Sequence, residues 1–478
     1  LDNKPEPGYL ARSGFFMAPR SMRTSPPGYV LVRNGVALLL AMVLLSGCAT
    51  RSLFQPYPSQ ARAWTADMAT VEPEPLLKKG VDSRDGVLYL QELGRVRQLG
   101  GAIDDSEHAF RRAFEHYDET DAAARLRASG LVSNTGALLV NDNARPYVAP
   151  DYERIFAHAY QALNYWRRND VTATAVELRA AANEQRVAAN RRDDEIADAQ
   201  EAAREEGVQP GDFDSHFAGL DAAAGEVKAS FQNAWTFYLS ALFWEAHGEY
   251  NDALVDYKKA LEIHPDSAML QEDVARLSRA QDGRVERDKG LVAVVYEQGL
   301  VPARRELSLP IPTPHGLFAV AFPTYSAADK PRPAPLTVAA GDTTARTEVL
   351  TDVGGLAARH LREQLPGMLV RQTLRATTKY NLQKKANDDF GPVGAILTQI
   401  FNVVSEQADL RSWLSLPAYA QATRLMLPPG EHRLELSTPG GGASLTVPVV
   451  EQGVTVIHVV ATPGRLITRV LPVQEGPL

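Results

Sequence analysis

Cys48 is the side chain in this sequence best suited to covalent chemistry. It is the only cysteine among 478 residues, so the chain cannot form a disulfide of its own. Two arginines, an apolar run over residues 36–45 and the small residues Ser46 and Gly47 precede it. This order is typical of a secretory signal, and about ten apolar residues are too few to span a bilayer. We therefore expect the thiol to serve processing of the chain and not thiol catalysis.

The four residues Leu45, Ser46, Gly47 and Cys48 resemble the lipobox of bacterial lipoproteins. The resemblance implies that a signal peptidase cleaves before Cys48 and that the thiol carries a lipid anchor of palmitate-like chains. Each acyl CH₂ buried in lipid contributes roughly 0.8 kcal/mol, so three chains would hold the protein firmly in a membrane. Ala49 follows the cysteine, and in Gram-negative lipoproteins a residue other than Asp there favours the outer membrane. The expected location is therefore the periplasmic face of the outer membrane.

The first part of the chain is expected to hold no folded domain. Residues 1–47 are interpreted as upstream residues followed by the lipoprotein signal peptide, with Met17 or Met22 as the start. Residues 48–84 are rich in proline and polar side chains and are interpreted as a tether. The whole chain carries a formal net charge of −8, and removing residues 1–47 makes it more negative, which disfavours a nucleic-acid partner.

A second group able to bind a ligand is a row of basic residues. Arg371, Arg375 and Lys379 are spaced by four and fall on one helix face. Such a stripe suits anionic lipid headgroups, peptidoglycan or lipopolysaccharide. The alternative is a solvated face opposite the leucines of the same helix.

Residues 408–417 combine charge with a large aromatic surface. Asp409 and Arg411 are two positions apart, so they would not face each other on a helix but could pair in an irregular turn. Trp413 must be buried by the fold or covered by a partner. We expect a structural corner here.

Motifs for catalysis are missing from the sequence. It contains no Gly-x-Ser-x-Gly, no P-loop, no His-Glu-x-x-His and no dinucleotide-binding glycine fingerprint, and its ten histidines lack metal-ligand spacing. We therefore predict no enzyme, no catalytic residues, no metal and no cofactor, with a cryptic hydrolase as the minor alternative. His247 and His264 are interpreted as exposed turn residues.

Residues 234–265 have apolar residues at helical spacing on both sides of a glycine, which predicts two helices joined by a tight turn. The pair resembles one tetratricopeptide repeat (TPR), with small residues where its helices cross and large ones where repeats pack. The residues that carry this resemblance are Ala241, Trp244, Gly248, Tyr250, Ala253, Tyr257, Ala260 and Pro265. Trp244, Tyr250 and Tyr257 are interpreted as packing residues.

Two weaker copies lie at residues 155–186 and 87–118, with Asn169 and Gly101 at the turns. Together the copies predict a TPR-like helical domain over residues 85–285; a generic helical bundle is the alternative. The charged, alanine-rich residues 191–206 are expected to form a solvated helix extending past the core, or else a helix that binds a partner.

After residue 286 the pattern changes to short β-rich runs, which predicts a C-terminal α+β domain over residues 286–478. A helical insertion is expected at about residues 355–408, with early and late strands pairing around it. The complete fold prediction is a multidomain α+β chain, in which a TPR-like α-helical array precedes a β-rich, sandwich-like domain.

Three stretches, 294–302, 321–325 and 408–417, together with the lipobox and the helix pairs, resemble uncharacterised Gram-negative outer-membrane lipoproteins with TPR repeats and a C-terminal β-rich domain. The resemblance implies a role near peptidoglycan synthesis, because genes of that family tend to lie near lipoprotein activators of penicillin-binding proteins. We therefore predict a membrane-anchored periplasmic scaffold or adaptor that mediates protein–protein interactions with unknown cell-envelope partners. The alternative is a peptidoglycan- or lipid-binding envelope module acting through the C-terminal domain.

Overall fold

The computed structural model describes residues 55–66, 68, 74–128, 143, 145–281, 288–313, 316–405, 407–462 and 465–473. The described residues all belong to a single compact unit. Tyr57, Trp64 and Leu77 are buried in its core, so the interpretation of residues 48–84 as a tether is wrong for the described part of that range. The helices are α1 Tyr57–Thr65, α2 Glu74–Gly80, α3 Gly86–Gly100, α4 Ile103–Ala128, α5 Asp151–Arg167, α6 Val171–Glu205, α7 Ala218–Ala224, α8 Ala234–Ala246, α9 Tyr250–Ile263, α10 Ala268–Gln281 and α11 Val353–Ser405, with a 3₁₀ helix at Pro210–Phe217. In the described part of the chain, none of these helices has the length and apolar character needed to cross a membrane.

In the part of the chain that the structure describes, the strands all follow residue 289, so the predicted order of helices first and sheets second is confirmed. They are β1 Gly290–Gln298, β2 Arg305–Thr313, β3 Gly316–Thr324, β4 Thr337–Ala340, β5 Thr343–Arg346, β6 Glu348–Asp352, β7 Tyr419–Leu427, β8 Gly430–Thr438, β9 Gly441–Val449, β10 Val454–Thr462 and β11 Arg465–Leu471. The long helix α11 connects β6 to β7.

Three helix hairpins occupy the three copies recognised in the sequence: α3 with α4, α5 with α6, and α8 with α9. Each hairpin turns at a residue in the left-handed backbone region, Gly101 (φ 90°), Asn169 (φ 57°) and Gly248 (φ 80°). Glycine and asparagine adopt this conformation at the lowest cost, which is why the turn residues could be read from the sequence.

Small residues allow the two helices of a hairpin to approach closely. A Cβ atom added to Gly94 of α3 would lie 2.8 Å from the ring of Phe110 of α4. The Ser106 hydroxyl donates to the Gly94 carbonyl at 2.7 Å across the same crossing. The hairpin is therefore closed by one glycine–aromatic contact and one side-chain hydrogen bond.

Helix α6 does not stand free in solvent along its charged half. Arg192 of α6 pairs with Glu363 of α11 at 2.8 Å, and Ala188 and Ala203 of α6 are buried. The prediction of a helix that extends past the core is wrong on this side, because α11 packs along it. Most other side chains between residues 191 and 206 are exposed.

The five-stranded sheet has the order β11-β10-β1-β7-β6. Its central strand β1 pairs in parallel with β10 and antiparallel with β7, so the predicted pairing of early with late strands is confirmed. The remaining strands form a four-stranded sheet, β5-β4-β8-β9, and a two-stranded ribbon, β2-β3.

Strand β1 is buried on both faces. Val292 and Val294 point into a core shared with the four-stranded sheet, whereas Leu291, Ala293 and Val295 point into the core formed with the helices. Alternating side chains thus place the five-stranded sheet between a layer of helices and a second sheet. The helical and β-rich parts, predicted as residues 85–285 and 286–478, share one core in this arrangement.

Candidate functional site

A buried carboxylate on β1 receives side chains from two helices and a neighbouring strand. Glu297 accepts hydrogen bonds from Arg95 of α3 at 2.5 Å and from Tyr160 of α5 at 2.8 Å, and it lies 2.6 Å from His458 of β10. Burial alone raises the pKa of Glu297, but Arg95 and His458 outweigh it and lower that pKa below its usual value. The carboxylate is therefore held charged as a structural tie between helices and sheet.

Two further buried carboxylates hold the irregular segment 408–417. Glu92 of α3 accepts from the backbone N–H of Leu414 at 2.8 Å and of Ser415 at 3.2 Å, and Glu153 of α5 accepts from that of Trp413 at 3.0 Å. Burial raises the pKa of Glu92 to about 7. Because the segment has no regular partner strand, these side chains satisfy backbone donors that burial would otherwise leave unpaired.

Asp409 and Arg411 pair with each other in this segment, and Arg411 also pairs with Asp85 before α3. Trp413 is only 1% exposed and meets the Phe110 ring at a tilted angle and the Tyr160 ring edge-to-face. The predicted structural corner is confirmed, and Trp413 needs no partner to cover it.

A cleft of about 210 Å³ opens beside the corner. Its polar lining includes Tyr57, Asn143, Glu306 and Arg411. Glu306 accepts from the backbone N–H of Ala408, and Arg411 pairs with Asp85 and Asp409 and donates to the Arg145 carbonyl. The volume is below the roughly 300–1,000 Å³ of small-molecule sites. No His, Ser or Cys is among its lining residues, so the described part of the cleft lacks a nucleophile–base pair.

The histidines of the described residues are dispersed: His247, His264 and His432 contact backbone carbonyl oxygens, whereas His116, His158 and His458 contact carboxylates. His247 is 6% exposed and lies 2.8 Å from the Phe243 carbonyl, and His264 lies 2.6 Å from the Leu350 carbonyl. The interpretation of both as exposed turn residues is wrong, because α5 and β6 pack against those turns. Among the described residues, no three His, Cys, Asp or Glu side chains are grouped to hold a metal ion.

The TPR signature positions lie in the α8–α9 hairpin as follows. Ala241, Ala253, Tyr257 and Ala260 are fully buried, and Trp244 is 5% exposed. Gly248 makes the turn, and Pro265 follows the end of α9. Tyr250 is 45% exposed, so its interpretation as a packing residue is wrong. It lies on the first turn of α9.

The basic stripe is not a continuous exposed face. Arg375 is only 4% exposed and donates to the Gln372 side chain at 2.8 Å, and Arg371 is half-buried. The side chain of Lys379 and the lipobox residues Leu45, Ser46, Gly47 and Cys48 lie outside the described residues. Burial of Arg375 therefore removes one of the three charges on which an anionic surface would depend.

Sequence reasoning missed the long-range ion pairs that hold this region. Glu297 directly follows the apolar run of residues 291–296, which was the available signal, whereas Arg95 lies among other polar residues of α3 and gave none. Nothing in the sequence indicates that these two residues are partners.

No family model matches this chain, and neither a curated protein nor a solved structure matches it. The family resemblance of the sequence therefore stays a prediction.

Proposed function

We propose that this chain is a lipid-anchored scaffold or adaptor on the periplasmic face of the outer membrane, where it binds other envelope proteins. Its helix hairpins would act as TPR-like units, and Cys48 would carry the anchor. The process implied by the sequence resemblance is peptidoglycan synthesis. Exposed apolar side chains on two helices of the helical layer are the observation that carries the proposal.

These side chains lie on α6 and α9. Val176 of α6 is 57% exposed, and Tyr250 and Val255 of α9 are 45% and 50% exposed. Arg179 links the two helices, since it pairs with Asp252 at 3.6 Å and lies 4.5 Å from the ring centroid of Trp244. We call these five exposed residues, Val176, Arg179, Tyr250, Asp252 and Val255, the α6–α9 surface.

Its chemistry suits a protein partner better than a sugar or a lipid headgroup. Aromatic and arginine side chains beside aliphatic ones are enriched at protein–protein interfaces. One acidic and one basic residue compensate each other within the surface, so net charge does not attract a polyanion. The buried Arg375 correspondingly weakens the alternative of an anion-binding stripe on α11.

Site-specific photocrosslinking in a Gram-negative host tests partner binding. A photoreactive phenylalanine analogue replaces Val255 in one variant of the full chain and Val450 in another. Val450 is 56% exposed but lies after β9, away from the helical layer, which makes it a matched control. We expect discrete adducts with an envelope protein from position 255 only. Absence of adducts at 255, or equal labelling at both positions, would contradict the proposal.

The anchor is tested separately by Cys48→Ser. The variant should lose labelling by a palmitate analogue and leave the membrane fraction. A variant that keeps both properties would overturn the assignment of the anchor while leaving the crosslinking result interpretable.

A further inference from the structure

A small cavity with three basic side chains opens where the helical layer meets the outer edge of the five-stranded sheet. Its volume is about 10 Å³, room for one water-sized group. Arg167 from the end of α5, His458 from β10 and Arg469 from β11 contribute the basic groups. The rest of the lining comes from Gln98, Leu99, Val460 and Ile467.

The strand register explains why these residues converge. His458 and Arg469 are direct cross-strand partners, as are Val460 and Ile467, so all four point to the helical face of the sheet. The C-terminal end of α5 places Arg167 opposite them. The Trp166 indole N–H, one residue earlier, donates to the Pro472 carbonyl at 2.8 Å and fixes that end of the helix against the chain after β11.

The positive charges around this cavity are not balanced by an equal number of neighbouring carboxylates. Within the described residues, Arg167 donates only to the Gln98 carbonyl at 3.2 Å and Arg469 only to the Thr468 carbonyl at 3.0 Å. Glu297 is the acidic group nearest His458, and it is already shared with Arg95. Each guanidinium has five N–H donors, so most of them face the cavity or solvent.

The positive charges of Arg167 and Arg469 repel each other. Burial lowers the pKa of Arg167, and the neighbouring charge of Arg469 lowers it further. Burial also lowers the pKa of His458, and the charges of Arg95 and Arg167 lower it further, whereas Glu297 raises it. A negative charge placed between Arg167 and Arg469 would relieve this repulsion.

We propose that Arg167 and Arg469 form a binding site for an oxyanion, a carboxylate or phosphate group with one oxygen seated in the cavity. Guanidinium groups recognise both anions through charge-assisted, often paired, hydrogen bonds. His458 and Gln98 form the polar floor, and Val460 and Ile467 exclude water from one side. Arg469 is exposed, so it can adjust to the size of the group. The site is distinct from the α6–α9 surface and does not depend on it.

Calorimetric titration of the purified full chain with inorganic phosphate, and in a second arm with acetate, tests the site. Ionic strength is held constant with chloride. The variants are Arg167→Gln and Arg469→Gln, with Arg465→Gln as the matched control. Arg465 lies on the same strand, is exposed and is outside the cavity, and its replacement changes the net charge equally.

We expect saturable binding of phosphate or acetate to the unmodified chain and to Arg465→Gln, and about tenfold weaker binding to each cavity variant. Binding in one arm alone identifies the ligand as a phosphate or as a carboxylate. The melting temperature without added oxyanion supplies a second readout. It should rise slightly in Arg469→Gln, because the repulsion of Arg167 is removed; a purely structural Arg469 would lower it. No saturable binding in either arm, or an equal loss in Arg465→Gln, would overturn the proposal.

Discussion

Arg95 donates to Glu297 at 2.5 Å although 202 positions separate the two residues in the chain. Both side chains are about 1% exposed or less. The pair joins α3 of the first helix hairpin to the central strand of the five-stranded sheet. The helical and β-rich parts are therefore held by charge as well as by a shared apolar core.

Replacing Glu297 by Gln should cost about 3–5 kcal/mol of unfolding free energy, because Arg95 would remain buried without a counter-charge. Equilibrium urea denaturation measures the loss. The control is Glu435→Gln, which breaks an exposed pair with Arg433 and should cost less than about 1 kcal/mol. Equal losses in the two variants would show that burial of the Glu297 pair has no energetic consequence.

Arg411→Met should destabilise the corner by about 3–5 kcal/mol near neutral pH, since Asp85 and Asp409 lose their common counter-charge. Burial alone raises the pKa of Asp409, but Arg411 outweighs it and lowers that pKa. The stabilisation is therefore present above the ordinary Asp pKa and is lost as pH falls through the folded-state value.

The difference between Arg411→Met and the unmodified chain should accordingly shrink in acid. Unfolding free energies measured across an acidic pH series provide the check. A difference that stays constant, or grows, as the carboxylates become protonated would contradict an electrostatic origin.

His360 should make the fold sensitive to mild acid. Burial, and next the charge of Arg304, lower its pKa from 6.5 to about 4. The neutral ring is favoured in the folded state, so its contribution is complete above about pH 6.5 and is lost as pH falls towards 4. Since the residue is half-buried, the expected loss is about 1–2 kcal/mol.

His360→Phe removes this titration and keeps a ring against Tyr152. The stability of the variant should fall less than that of the unmodified chain between pH 7 and pH 4.5, as measured by urea denaturation. His216→Phe, at an exposed position, serves as the control for replacing an imidazole by a phenyl ring. Parallel pH profiles for His360→Phe and the unmodified chain would refute the assignment.

Gly94→Ala should destabilise the first hairpin by about 1–3 kcal/mol, because the new methyl group would lie 2.8 Å from the Phe110 ring. The matched change is Gly211→Ala, where the nearest atom to the added Cβ is a side-chain oxygen of Asp214 at 3.9 Å. Thermal unfolding should show a lower melting temperature for the first variant only. If Gly211→Ala lowers it equally, crowding at the helix crossing is not the cause.

Local signals in the sequence were sufficient for the helix hairpins. Gly101, Asn169 and Gly248 could be placed at turns because left-handed backbone is costly for other residues. The apolar period of the helices and the short β-rich runs likewise predicted the order of the fold. These features depend on residues within a few positions of each other, so a single sequence is enough to predict them.

Tertiary structure alone decided which charges are buried and which apolar residues stay exposed. Arg375 is buried although its spacing suggested a surface stripe, and Tyr250 is exposed although its repeat position suggested packing. The same holds for the contact of Arg167 with the β10–β11 edge. Side chains hundreds of positions apart meet only when the sheet and the helical layer pack together. The spacing of apolar residues within one helix or strand does not indicate which elements pack against each other.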